Sequence, residues 1–105
     1  MIGEKLRVLS DPTRLKIILS LKRRRKNVSE LVKIVGGTQA NISKHLKILE
    51  RGGIIKRERE GVKIFYEIKN MEVFKIIDCI SSSLRNEILN NERLILEIRE
   101  VLEGR

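Results

Sequence analysis

Apolar residues recur at helical spacing from the start of the chain, at Ile2, Leu6 and Leu9, and "SDPTRLKIILSL" then reads as a fresh helix start. Asp11 can cap free amides there, and Pro12 suits the first helical position, where a missing N–H costs nothing. Leu15, Ile18, Leu19 and Leu21 make the expected buried stripe. "KRRRKN", residues 22–27, breaks the periodicity. Asn27 followed by Glu30 resembles a capping box opening a short helix through Leu31, Ile34 and Val35. Gly36 and Gly37 stop it, Thr38 caps the next helix, and that helix runs to about Arg51 before Gly52 and Gly53 end it.

A helix, a glycine-containing turn and a second helix make the helix-turn-helix pattern. "IIKRER" and "VKIFYEI" flank Glu60 and Gly61, and their β-branched and aromatic alternation predicts a hairpin with a glycine in its turn. Asn70 caps the next segment. From Met71 to Leu102 the pattern is helical again, with residues 81–83 and 90–91 as candidate breaks. The fold class is mostly α with a small β-hairpin. Residues 1–70 form the domain proper, and 71–105 form an appended helical segment.

Residues 38–51, placed at 100° per residue, put Ile42, Leu46 and Leu49 on one stripe and Ala40, Ser43, Lys44, Lys47 and Arg51 opposite. The outer face is small and polar early, cationic later, and free of large apolar groups. An α-helix of this kind fits the major groove, where its first residues reach base edges and its later basic ones reach phosphate. Gln39 can both donate to and accept from adenine, and Ser43 is small enough for close approach. A merely solvated lysine-rich face is the bland alternative.

Charge sharpens the choice. The chain carries a formal net charge of +9 and a pI near 10.1, which favours a polyanionic partner. Residues 1–63 hold 17 Lys/Arg against 6 Asp/Glu, and residues 64–105 hold 6 against 8. The cationic part is the one that carries the helix-turn-helix. At 105 residues there is room for one small domain and no two-domain enzyme. A single cysteine, Cys79, excludes an intrachain disulfide. No signal peptide or bilayer-length apolar run stands out, so a soluble, cytoplasmic protein is expected.

The stretches "LSDPTRLKIILSL", "VSELVKIVGGTQANISKHLKILERGGIIKRE" and "EGVKIFYEI" together closely resemble the arsenic-repressor (ArsR) type of winged helix-turn-helix transcriptional regulator, over roughly residues 4–70. That resemblance implies a homodimer whose recognition helices enter successive major grooves of double-stranded DNA at an inverted-repeat operator. Its recognition positions fall on Thr38, Gln39, Ala40, Ser43, Lys44 and Lys47, and its wing on Arg59 and Lys63. Arg23, Arg24, Arg25 and His45 are candidate phosphate contacts. A solvated loop is the alternative for the arginines, and packing the alternative for His45. Tyr66 alternates with Ile64 and Ile68 and is expected in the core or an interface. The first and last helices of such regulators form the dimer contact. Ile77, Leu84, Ile88, Ile95, Ile98 and Leu102 recur here on a heptad frame, with Asn91 on the same seam, and Ile2 and Leu6 come from the first helix; the alternative is that the segment breaks near 81–83 or 90 and its pieces pack back on the same chain.

Many such regulators release DNA on binding metal through a Cys-Val-Cys run. The matching stretch here is Asn27, Val28, Ser29, so both thiolates are absent. A second site of the family uses Asp and His on the last helix. No histidine stands there, and Glu72, Asp78 and Glu87 offer only hard oxygen ligands. No metal or cofactor is expected. Cys79, lacking a second thiol in its chain to resolve an oxidation product, is expected as an inert buried thiol, with pairing of the two Cys79 residues of a dimer near a two-fold axis as the alternative.

The leading reading is a homodimeric, sequence-specific DNA-binding regulator acting as a repressor. The rival is a winged-helix module for protein assembly without sequence-specific DNA binding. RNA binding is a third reading, weak because only Phe65, Tyr66 and Phe74 could stack on bases. An enzyme is least supported: there is no nucleophile with a base, no ligand cluster and no phosphate-binding glycine loop.

Overall fold

A computed structural model describes residues 7–79 of the chain. Residues 7–9 are helical and end at a turn in which Ser10 Oγ donates to the Arg7 carbonyl at 2.7 Å. Asp11 then caps α1 (Pro12–Ser20), accepting from the Arg14 amide at 3.0 Å with Pro12 inside the first turn. Ile17, Ile18, Leu19 and Leu21 are buried, while Leu15 is only partly so. The expected stripe was thus too narrow: α1 packs on both following helices, so Ile17 is covered as well.

The capping box at Asn27 is present in α2 (Val28–Val35). Asn27 Oδ1 accepts from the Glu30 amide at 2.9 Å, and Glu30 Oε1 accepts from the Asn27 amide at 3.1 Å. Leu31 is fully buried, whereas Ile34 is 43% exposed and does not share its burial. Gly36 and Gly37 take φ of 90° and 88°, a region that L side chains rarely adopt, and this sharp turn delivers the chain to Thr38. Thr38 caps α3 (Gln39–Arg51), whose Ile42, Leu46 and Leu49 are the fully buried positions expected of them.

β1 (Ile55–Glu60) and β2 (Lys63–Ile68) pair antiparallel from Ile55↔Ile68 to Glu60↔Lys63. The turn is therefore Gly61-Val62, one residue later than the sequence pattern placed it. Gly61 takes φ 65° and Val62 does not take a positive φ, the combination that a two-residue hairpin with glycine first requires. The Lys26 amide donates to the Tyr66 carbonyl at 3.0 Å and the Tyr66 amide to the Lys26 carbonyl at 2.8 Å, which stitches the 22–27 loop to β2. Tyr66 is partly buried against the core, as expected.

Residues 73–79 are helical, and Val73, Phe74 and Ile77 close the core from below. Ile77, placed by the heptad frame on a subunit seam, is buried in the core cluster of its own chain. Cys79 is exposed, which corrects the expectation of a buried thiol. Two residues beyond Ile77 lies some 200° around a helix, so a stripe centred on Val73, Phe74 and Ile77 turns position 79 outward. The interface candidates Ile2, Leu6, Leu84, Ile88, Asn91, Ile95 and Ile98, the heptad's Leu102, Glu87 and the candidate breaks at 81–83 and 90–91 lie outside the described residues. No helix among the described residues is long and apolar enough to cross a membrane.

Candidate nucleic-acid interface

Burial of Ile42, Leu46 and Leu49 fixes the rotation of α3, and with it the composition of the opposite side. Gln39, Ala40, Ser43, Lys44, Lys47 and Arg51 are all exposed. Ala40, Ser43, Lys44, Lys47 and Arg51, with Ile48 at the back, line an open concavity of about 490 Å³. Arg51 belongs to this surface although the recognition positions implied by the family resemblance do not include it; its place on the outer arc of the helical wheel was the signal. Thr38 sits at the entry, where its Oγ1 accepts from the Asn41 amide at 3.1 Å and its hydroxyl proton remains available to an acceptor.

Several cations elsewhere on the surface are paired with carboxylates, while Arg23, Lys33, Lys63 and Lys75 are exposed and make no ion pair among the described residues. Lys56 pairs with Glu67 at 3.1 Å, Arg57 with Glu50 at 3.4 Å, and Arg24 with Glu30 at 2.7 Å. Lys44, Lys47 and Arg51 make no ion pair among the described residues. What distinguishes the outer face of α3 is that three such cations are grouped on one surface.

His45 is half-buried, with its Nδ1 3.2 Å from Arg14 Nη1. A guanidinium only donates, so Nδ1 accepts and the ring proton sits on Nε2. Arg14 also donates through Nε to the Val8 carbonyl at 2.8 Å, so one side chain ties residues 7–9, α1 and α3 together. Burial by itself would raise the Asp11 carboxyl, but the Arg14 amide and the Arg14 charge, with the Thr13 amide, outweigh it and hold the group below its ordinary value. Sequence reading did not single out Arg14; the "DPTR" spacing that places it three residues after the cap was the available signal.

The three loop arginines are separated by the structure. Arg23 is exposed and makes no ion pair among the described residues. Arg24 is held by Glu30, which it keeps more acidic than usual together with the Asn27 amide. Arg25 turns onto the hairpin. Lys26 is buried, its Nζ donating to the Ser20 carbonyl at the end of α1, and burial lowers its pKa, with the Arg24 charge adding to the effect. In the wing, Arg59 Nε donates to the Gly61 carbonyl at 3.0 Å. Arg59 lies opposite Ile64 and Lys63 opposite Glu60, so strand alternation places these two wing cations on opposite faces of the hairpin.

Asn27 and Ser29 open α2, and the Asn27 side chain is committed to capping. No group of three or more His, Cys, Asp or Glu able to hold a metal ion occurs among the described residues.

The profile described as "Bacterial regulatory protein, arsR family" matches residues 11–57, which span α1 to the start of β1. The transcriptional repressor PagR of Bacillus anthracis is 37% identical over 80 residues, covering 75% of this chain and 80% of PagR. The chain belongs to the arsR family. Its likeness to PagR extends to three dimensions: the crystal structure of that repressor superposes with a TM-score of 0.65 at 35% identity, over 74% of this chain and 90% of PagR. The HTH-type transcriptional repressor SmtB of Mycobacterium tuberculosis is 36% identical over 75 residues, or 71% of this arsR-family chain. The chain spans only 56% of the length of SmtB. For the fold alone, a homodimeric winged helix-turn-helix DNA-binding domain from Mycobacterium bovis superposes with a TM-score of 0.73 at 21% identity, over 83% of this chain and 81% of that one. The family is one of regulatory proteins. The matched stretch contains α3 whole, while Arg59 and Lys63 lie beyond it.

Proposed function

We propose that the chain is a sequence-specific DNA-binding transcriptional regulator that acts as a homodimeric repressor in the cytoplasm. The observation that carries this reading is the outer face of α3, with small residues first and then Lys44, Lys47 and Arg51 without carboxylate partners among the described residues. Gln39, Ala40 and Ser43 read base edges in the major groove, and Thr38, Lys44 and Lys47 engage the phosphates beside them. Arg59 and Lys63 carry the wing to the flanking backbone, and Arg23 reaches phosphate from the 22–27 loop. His45 serves α3 through Arg14. Residues 1–70, with Val73, Phe74 and Ile77 closing their core, form the DNA-binding unit, and the segment beyond, with Ile2 and Leu6, holds the second subunit. The chain is not an enzyme. Asn27 and Ser29 supply no soft ligand, so relief of repression does not pass through a thiolate pair at α2.

The test is fluorescence anisotropy of the purified chain, at two salt concentrations, on duplex DNA from upstream of its own gene and on a scrambled duplex of equal length. A preference of roughly a thousandfold supports a specific regulator. Equal affinity for the two, across every duplex selected from a random pool, would refute sequence-specific recognition.

A further inference from the structure

Arg25 has a different role from its two neighbours. Its guanidinium lies 4.2 Å from the centre of the Phe65 ring on β2. It pairs with Glu60, and its Nη1 stands 3.7 Å from Glu58 Oε1. Glu58 and Glu60 are two apart on β1, and Glu58 lies opposite Phe65, so all three groups share one face of the hairpin. Arg25 covers that face. One residue later the backbone of Lys26 is bonded to Tyr66, and one residue earlier Arg24 is held to Glu30 in the first turn of α2. The loop from 24 to 26 therefore grips the hairpin with one side chain and the helix-turn-helix with the next.

We propose that Arg25 is a latch, a positioning residue that fixes the angle of the hairpin wing against the helix-turn-helix, and that it acts on DNA through the wing and not by touching phosphate. The inference rests on the DNA-binding reading above. It accounts for two carboxylates on a strand that has to approach a polyanion: with Arg25 between them, their charge is spent on holding the wing. It also reverses the sign of a simple expectation. Glu60→Gln removes a negative charge near the DNA, and electrostatics alone makes such a variant bind more tightly. The latch makes it bind more weakly, because the wing loses its anchor.

Wild type, Glu60→Gln, Arg25→Gln, the double variant and Phe65→Leu are compared by fluorescence anisotropy across a salt series. The probe is a duplex that wild type has selected from random sequence, and thermal melts check folding. The latch predicts that Glu60→Gln and Arg25→Gln each weaken binding by about three- to tenfold, the scale of an exposed ion pair with a stacked guanidinium. The double variant is then no weaker than Arg25→Gln. Phe65→Leu, which leaves every charge in place, weakens binding in the same direction and keeps the test open if Arg25→Gln folds poorly. The slope of log affinity on log salt stays at the wild-type value throughout. Tighter binding by Glu60→Gln, with a slope that falls by roughly 0.9 for each Arg25 removed, would make Arg25 a phosphate contact and overturn the latch while leaving DNA binding intact. Failure of wild type to select or bind any duplex would sink both readings together.

Discussion

At Asp11 a single carboxylate closes the first turn of α1 and faces the charge of Arg14. Removing such a cap costs about 0.5–2 kcal/mol, so Asp11→Ala lowers stability by that amount near neutral pH. The pH dependence has a definite sign. The folded-state pKa is depressed, so the contribution of the ionised cap is complete above the unfolded value, about pH 4, and disappears as pH falls through the folded value. Melting temperatures of wild type and Asp11→Ala therefore differ most at neutral pH and converge in acid; a gap that stays constant down to about pH 2 would show that the charge contributes nothing. The cap itself was legible from "SDPTR", because capping is a local interaction three residues long. The contact of Arg14 with His45 was not, since it joins positions 31 apart and depends on how α1 crosses α3.

Within α2, two apolar residues at helical spacing have unequal fates. Leu31 is fully buried and Ile34 is 43% exposed. Leu31→Ala should cost about 2–5 kcal/mol by the combined loss of burial and creation of a cavity, whereas Ile34→Ala should fall within about 0.5 kcal/mol of wild type. Urea titration of both variants checks the pair, and similar losses would mean that Ile34 is covered. Periodicity marks which side of a helix is apolar, but not how many neighbours cover it. That is why it gave α3 its correct stripe, missed Ile17 on the doubly packed α1, and overstated Ile34. Caps and glycine turns were legible because each is a local backbone requirement. The hairpin turn slipped by one because Glu60 is polar enough for either role, and only the Glu60↔Lys63 pairing assigns it to the strand. Of the candidate site, the outer face of α3 was readable from the helical wheel. The division of labour among Arg23, Arg24 and Arg25 was not, because it depends on where Glu30, Glu58 and Glu60 lie in space.

Across the whole molecule, a net charge of +9 makes two different statements about affinity. If the overall field attracts DNA, any cation is worth as much as any other at equal distance. If the outer face of α3 does, position decides. The grouping of cations favours the second: Lys44, Lys47 and Arg51 line one exposed surface and make no ion pair among the described residues, whereas other unpaired cations such as Arg23 and Lys75 lie outside that surface. Lys44→Ala and Lys75→Ala each remove one positive charge, the first from α3 and the second from the exposed side of residues 73–79. Lys44→Ala should weaken binding to every sequence and reduce the salt slope by roughly 0.9 per contact, hence by about two for a dimer. Lys75→Ala should leave the slope unchanged. Gln39→Ala should keep the wild-type slope and instead relax preference at one or two base pairs, because a base-edge hydrogen bond releases no counterions. Equal losses for Lys44→Ala and Lys75→Ala on selected and random duplex would assign the affinity to net charge, and α3 would lose its place as the reading surface.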